Sequence, residues 1–413
     1  MNEFYLSIVA VSRNDDHGGQ LLTRMQAFVN GVIQQSKRHQ VSVELILVEW
    51  NPPDDRPLLS EELEVPKDKG PCEIRIIQVS KELHHTLDCS ENLPLFQMIA
   101  KNVGIRRARG EYVLATNIDI LFSDELFSYF KEKKLKPGVF YRVDRLDIPS
   151  EVPKSAPFNE VLDYCKDKFF RINGRFGTKI PNIEANPKKV NLLRKAKKQM
   201  RKYFLGLKVL KPFLKKLPKK CLSKNIFDLN RWKTLINYGW FYIKKLCFKL
   251  MTKITVFKFF TKIKMNFKVF QIFFKISRYK YCLIPHSNGC GDFTLLSRKG
   301  WEVLRGYPEW PIFSWHIDSL FLYQAIVSDF KEKNFGPTKP IYHIEHGKGS
   351  GYTPEGFQLL LKRLDKKNIP YLDMRAFNQH IRAMKKAKAK SRTLIYNHED
   401  WGMVDQKLKE FFI

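Results

Sequence analysis

The chain has 413 residues, of which 44% are hydrophobic and 13% aromatic, and it carries a formal net charge of +31. That length and apolar content suffice for a sizeable core and exclude global disorder. The charge is concentrated, because residues 191–280 hold 26 Lys/Arg against one acid, Asp228, a net of +25 that leaves +6 for all the rest. The seven cysteines are scattered and include no Cys-x-x-Cys pair, which argues against a disulfide framework or a zinc cage and suits a reducing, cytosolic setting. The N-terminus shows no basic, apolar leader, and no run reaches about 18 uncharged apolar residues. Neither a signal peptide nor a membrane-spanning helix is expected.

In chain order, Leu6-Ser-Ile-Val-Ala-Val11 reads as a buried first strand, followed by the polar loop Ser12-Arg-Asn-Asp-Asp-His-Gly-Gly19. Leu21, Leu22, Met25, Phe28, Val29 and Val32 recur at helical spacing. Residues 43–48 and 74–79 form a second and a third strand. Residues 95–108 form a helix stopped by Gly110, and residues 112–116 a fourth strand. Ser123 caps a helix that begins with the acids Asp124 and Glu125, as the helix dipole favours. Residues 139–143 are a fifth strand. This alternation predicts a three-layer α/β domain with a mostly parallel sheet over residues 1–150. Residues 151–280 read as an insertion, beginning with a polar, Pro- and Gly-punctuated loop. Residues 281–353 return to ordinary composition, with a strand at 293–296 and helices at Arg298–Leu304 and Ile317–Val327. A helical tail is expected over 354–413.

Ligands of open α/β sheets gather at the carboxyl ends of the strands. Four such ends here are polar: residues 12–15, Glu49-Trp50-Asn51, Ser80 and Asn117-Ile-Asp119. The first two are candidates for the wall that receives a nucleotide, through Ser12, Arg13, Asn14 and Glu49. Asp119 is the candidate ligand of a divalent cation, Mn²⁺ or Mg²⁺, since hard oxygen donors suit those ions. Tyr342-His-Ile-Glu-His346 reads as a short strand. There His343 and His346 face opposite sides, so both reach one ion only if the chain bends.

The order of these segments resembles the GT-A fold of nucleotide-sugar glycosyltransferases, close to the family 2 type. The residues that carry the resemblance are Leu6-Ser-Ile-Val-Ala-Val-Ser-Arg-Asn14, Asn102-x-Gly104 with Ala108-Arg-Gly-Glu-Tyr112, and Thr116-Asn-Ile-Asp119. A second half runs from Gly291-Asp-Phe-Thr-Leu-Leu-Ser-Arg298 through Leu304-Arg-Gly-Tyr-Pro-Glu309 to His316-Ile-Asp318. The resemblance covers residues 1–147 and 285–350 and not the basic segment. It implies an inverting hexosyltransferase that uses a nucleotide-sugar donor and a glycan or lipid-linked glycan acceptor. In it Asp119 binds the cation with His343, or failing that His346. Asn102 and Asn117 join the donor-binding set, Asp318 is the general base with His316 beside it, and Gly291, Asp292, Trp310 and Trp315 line the acceptor site. Two departures stand out. Asn117 takes the place of the first Asp of the family's D-x-D motif, and Ile317 replaces the usual Glu before Asp318. Gly347-Lys-Gly-Ser-Gly351 looks like a mobile loop, with Lys348 as a counter-charge for the diphosphate.

In the basic segment, Ile243, Leu246, Cys247, Leu250, Ile254 and Phe257 keep helical spacing while Lys244, Lys245, Lys249 and Lys253 interleave. Largely helical segments of this kind suit an anionic membrane interface, better than nucleic acid, which needs fewer large apolar residues. The expected protein is therefore a glycosyltransferase of glycan biosynthesis, peripheral on the inner, cytoplasmic face of a membrane. The alternative is a non-catalytic basic membrane- or nucleic-acid-binding protein on a degenerate GT-A scaffold.

Overall fold

The computed structural model describes residues 3–153, 156–181, 284–347 and 354–413. The basic segment 191–280 and Lys348 lie outside these residues, and so do the expectations attached to them. The chain divides into two units, Met1–Pro181 with Cys282–Ile413 and Asn182–Tyr281, and every element below belongs to the first.

The first half carries β1 (Phe4–Ser12), α1 (Leu21–His39), β2 (Val43–Trp50), α2 (Leu59–Glu62), β3 (Cys72–Val79), α3 (Lys81–His85), α4 (Gln97–Arg106) and β4 (Gly110–Ala115). Then come β5 (Ile120–Phe122), α5 (Asp124–Lys131), β6 (Val139–Arg142), β7 (Arg145–Ile148), α6 (Phe158–Lys168), β8 (Arg171–Gly174) and β9 (Gly177–Lys179). The second half adds β10 (Thr294–Ser297), α7 (Arg298–Leu304), α8 (Ile317–Val327), β11 (Lys331–Asn334), β12 (Ile341–Ile344), α9 (Pro354–Lys366), α10 (Met374–Ala389) and β13 (Lys409–Phe412).

The large sheet has the order β11-β6-β10-β4-β1-β2-β3-β13. Its centre, β3-β2-β1-β4, is parallel, while β10 runs antiparallel between β4 and β6. The central strands are near-continuous runs of Val, Ile and Leu because helices cover both faces. Leu6, Ile8 and Ala10 point into one core with Met25, Phe28 and Val32 of α1. Val9 and Val11 point into the other with Met98, Ile99 and Val103 of α4 and with Trp301 and Phe321. The expected three-layer α/β architecture is therefore the one observed, with most pairings of the large sheet parallel and β10 and β13 antiparallel to their neighbours.

A second sheet, of order β5-β12-β7-β8-β9, stands beside the first. It corrects the reading of residues 151–181 as part of an insertion, since α6 and the β8–β9 hairpin belong to this unit and extend that sheet. The tail also differs from its expectation. After α9 and α10 the chain ends in β13, which pairs antiparallel with β3 and covers that edge of the large sheet. Its sequence, Lys409-Glu-Phe-Phe412, is too short to show strand periodicity, and tertiary pairing decides its conformation.

Candidate active site

β4 ends at Ala115, and the Thr116 amide still donates to Val9 O at 2.9 Å before the chain turns through Asn117–Asp119 into β5. The second sheet then completes the site. β12 pairs with β5 on one side and β7 on the other, in a register that sets His343 opposite both Ile120 and Asp147. The Ile344 amide donates to Asp119 O at 2.9 Å. β12 stops at Ile344, and the bend that follows brings His346 to the same carboxylate as His343. Their Nε2 atoms lie 3.3 and 3.7 Å from Asp119 Oδ2, respectively. The two histidines, expected as alternatives, therefore converge.

One ligand atom from each of Asp119, His343 and His346 falls within a 4.8 Å group. Asp119 Oδ1 and His346 Nδ1 are buried without a hydrogen-bond partner. Burial alone would raise the Asp119 carboxyl, but the two imidazoles and the Arg24 guanidinium outweigh it and hold the pKa at about 2. A buried, ionised carboxylate facing two imidazoles fits a divalent first-row cation, and the nitrogen donors favour Mn²⁺ over Mg²⁺. The loop after β1 closes over this group. At Gly18, with φ +77°, a Cβ would lie 2.5 Å from His346 Nδ1, so only glycine fits. Arg24 clamps the loop by donating to the carbonyls of His17, at 2.7 Å, and Gly19.

Asn117 binds protein groups on both sides. Its Nδ2 donates to Asp292 Oδ1 at 2.6 Å, and its Oδ1 accepts from Lys101 Nζ at 2.8 Å and Gln97 Nε2 at 3.0 Å. An aspartate here would set two carboxylates against each other at hydrogen-bond distance, which accounts for the asparagine. Lys101, fully buried on α4, also donates to Gly291 O at 2.7 Å. Burial lowers its pKa to about 8, against the opposing pull of Asp292 and Asp318. Gly291 abuts Asp318, since a Cβ there would lie 3.1 Å from Oδ2. Asp318 Oδ1 accepts the Ser319 amide at 2.6 Å in the first turn of α8, so Oδ2 is the oxygen that faces Gly291.

The remaining expected residues fall into two groups. Ser12, Asn14 and Glu49 are buried at the ends of the adjacent strands β1 and β2, paired in register Ser12 to Glu49. Ser12 Oγ, Asn14 Oδ1 and Glu49 Oε2 have no hydrogen-bond partner there. Burial raises the Glu49 carboxyl to about 7. Arg13 instead braces the loop, donating to Asn51 O at 2.7 Å and pairing with Asp15 at 3.0 Å. Asn102 is a correction. Its amide nitrogen donates to Tyr307 O at 2.8 Å and Glu309 Oε1 at 2.9 Å, and its oxygen accepts the Tyr307 amide at 2.9 Å. It is a fully buried clasp on the 305–309 turn, with no polar atom left for a donor.

On the acceptor side, Asp292 also turns inward, its second oxygen accepting from Arg145 Nη1 at 2.7 Å. That too corrects its expected role, because both carboxylate oxygens are held by protein. Trp310 packs on His380 and Tyr396, Trp315 on His316 and Phe357, and the His316 ring stacks on Phe377 at 4.8 Å. The helices of the tail thus form a wall behind these residues. His316, in the left-handed region at φ 67°, opens α8, and burial lowers its pKa.

Lys101, Arg145 and Asp147 were not foreseen. Lys101 interrupts an apolar helical stretch, and Arg145-Leu-Asp-Ile148 alternates charged and apolar residues in a strand-length run. Both are signs of a polar interior facing an apolar element.

No family model and no curated protein matches the chain. Among solved structures it is similar to GalNAc-T7 in complex with UDP, GalNAc and Mn²⁺, at 10% identity and a TM-score of 0.40, over 96% of this chain and 52% of that one. It is also similar to S. aureus TarS, at 15% identity and a TM-score of 0.23, over 37% of this chain and 23% of that one. The chain thus spans about half the length of the first and under a quarter of the second.

The lowered Lys101 pKa has a testable sign. The unfolded lysine holds its proton to about pH 10.4, and the folded one loses it near 8. Between those values the unfolded state binds more protons, so stability rises with pH. In chemical denaturation from pH 7 to 10, wild type should gain on Lys101→Met by roughly 1–3 kcal/mol. A gap that does not change with pH contradicts the buried ammonium.

Proposed function

We propose that the protein is an inverting, cation-dependent GT-A glycosyltransferase that moves a hexose from a nucleoside diphosphate to a hydroxyl of a glycan or glycolipid. The observation that carries this reading is the convergence of Asp119, His343 and His346 at the carboxyl end of the central parallel strands. Asp318 stands beyond the Lys101–Gly291 link. The strand order supports it as well, with an antiparallel strand next to β4 and a small second sheet that carries His343.

When bound, the cation supplies Lewis acidity and a template for the departing diphosphate. Asp119, His343 and His346 would hold it, and the buried oxygens of Ser12, Asn14 and Glu49 would receive the nucleoside. Asp318 Oδ2 takes the proton of the acceptor hydroxyl. As that proton leaves, the acceptor oxygen bonds to the anomeric carbon from the face opposite the diphosphate. The bond to the phosphate oxygen breaks, its electron pair leaves with the diphosphate, and the configuration inverts. Trp310 and Trp315, braced by the tail helices, would offer apolar faces to the acceptor sugar.

With a panel of nucleotide-sugars and Mn²⁺, the wild type should release nucleoside diphosphate. Asp119→Ala should abolish the Mn²⁺-dependent activity. Asp318→Asn should lower kcat by about 10²–10⁴ while KM for the donor changes little. Failure to turn over any donor of the panel, or full activity in both variants, would sink the proposal.

We further propose that segment 191–280 seats the enzyme on an anionic membrane surface at the cytoplasmic face. Its net +25 supports this, at about 1 kcal/mol per basic residue near such a surface. Among the described residues no helix is long and apolar enough to cross a membrane. The full chain should float with phosphatidylserine vesicles at low salt and be released at high salt. Undiminished flotation after deletion of 191–280 would place the anchor elsewhere.

A further inference from the structure

The same sheet register that brings His343 to Asp119 places it against a second carboxylate. In β7, Asp147 lies directly across from His343, and in β8 Arg171 lies directly across from Asp147. Cross-strand partners share a face, so the three side chains meet. His343 Nδ1 is 3.2 Å from Asp147 Oδ1, within ion-pair distance, and both atoms are buried with no other hydrogen-bond partner. Its other nitrogen, Nε2, is 3.7 Å from Asp119 Oδ2. The imidazole is therefore held between two carboxylates, one at each nitrogen, and both acids are buried.

Asp147, His343 and Glu345 also form a group with the spacing of a cation site. Their existing partners exclude it. Asp147 Oδ1 lies 2.9 Å from Arg145 Nε, and Oδ2 accepts from Arg171 Nε and from Asn173 Nδ2 at 2.8 Å. Glu345 is itself paired with Arg171 at 2.8 Å. Two guanidinium groups already occupy the space a second ion would need. With two guanidinium groups and an amide on its oxygens, Asp147 is a fixed acceptor with one direction left to act, toward His343.

We infer that Asp147 is the positioning residue of the cation site, holding His343 with its proton on Nδ1 and its Nε2 lone pair toward Asp119. A neutral imidazole carries one N–H, and an ionised carboxylate can only accept, so the proton belongs on the nitrogen nearer its carboxylate, Nδ1 at 3.2 Å from Asp147 rather than Nε2 at 3.7 Å from Asp119. That leaves Nε2 as the ligand atom. Carboxylates behind metal-bound histidines act in this way, fixing the tautomer and making the imidazole a better donor. Arg145 extends the support, since its Nη1 donates to Asp292 Oδ2 at 2.7 Å and Asp292 accepts from Asn117. The orientation of a cation ligand is thereby tied to the turn beside Asp318.

The inference rests on reading Asp119, His343 and His346 as a cation site, and one experiment separates the two. Free Mn²⁺ is followed by electron paramagnetic resonance as it is titrated into the full-length wild type and Asp147→Asn, without donor or acceptor. The expected result is a wild type that binds and a variant weaker by about 10- to 100-fold. A wild type that binds no Mn²⁺ overturns the cation site and the inference with it. A variant that folds and binds as tightly as wild type overturns the role of Asp147 alone. The second measurement needs no variant. ¹⁵N–¹H correlation of the histidine rings in the cation-free wild type, at a pH where His343 is neutral, should show His343 protonated on Nδ1. A proton on Nε2 refutes the inference even if Asp147→Asn fails to fold.

Discussion

The site depends on one constraint, the insertion of β12 between β5 and β7. β5 follows directly from the turn that carries Asn117 and Asp119, and β7 brings Asp147. A strand hydrogen-bonded to both must place its residues against both, and the register chooses His343. Because side chains alternate across a strand, a slip of one residue would turn His343 to the opposite face and present Tyr342 or Ile344 to Asp119. The apolar neighbours of β12 resist that slip. Tyr342 and Ile344 pack with Leu121, Leu146 and Ile148, and turning them toward the charged face would remove this small core.

Polar groups join the two halves at the site itself. Lys101 bridges Asn117 and Gly291, and Asp292 bridges Asn117 and Arg145. Burying an ammonium and a carboxylate so close together is costly unless every bond is made. The arrangement therefore favours one geometry strongly over its neighbours. It also explains why the residue before Ile118 is an amide. Asn117 donates to Asp292 and accepts from Lys101, and a carboxylate does only the second. In the proposed cation site Asp119 is then the one carboxylate, beside His343 and His346.

Much of this was legible in the sequence because it is local. The four parallel strands, the helices Arg298–Leu304 and Ile317–Val327, and the placement of Asp119 at a strand end follow from runs and periodicities. The second sheet was not legible, since its strands are three or four residues long and are defined by their partners. The convergence of His343 and His346 turns on a bend after Ile344 that no residue type announces. Asn102 and Asp292 belonged to motifs that suggested ligand contact, and their side chains hold the protein to itself. A motif marks where a residue lies, whereas its partners decide what it does, and those partners come from residues more than 170 positions away.

The most direct test of the account is the position of a bound cation. Crystals of the full chain grown with Mn²⁺ and a nucleoside diphosphate should show an anomalous peak about 2.0–2.3 Å from Asp119 and from Nε2 of both His343 and His346. The diphosphate should occupy the remaining coordination positions. A peak bound by Asp147 and Glu345 instead, or a diphosphate seated without a cation at Asp119, would contradict it.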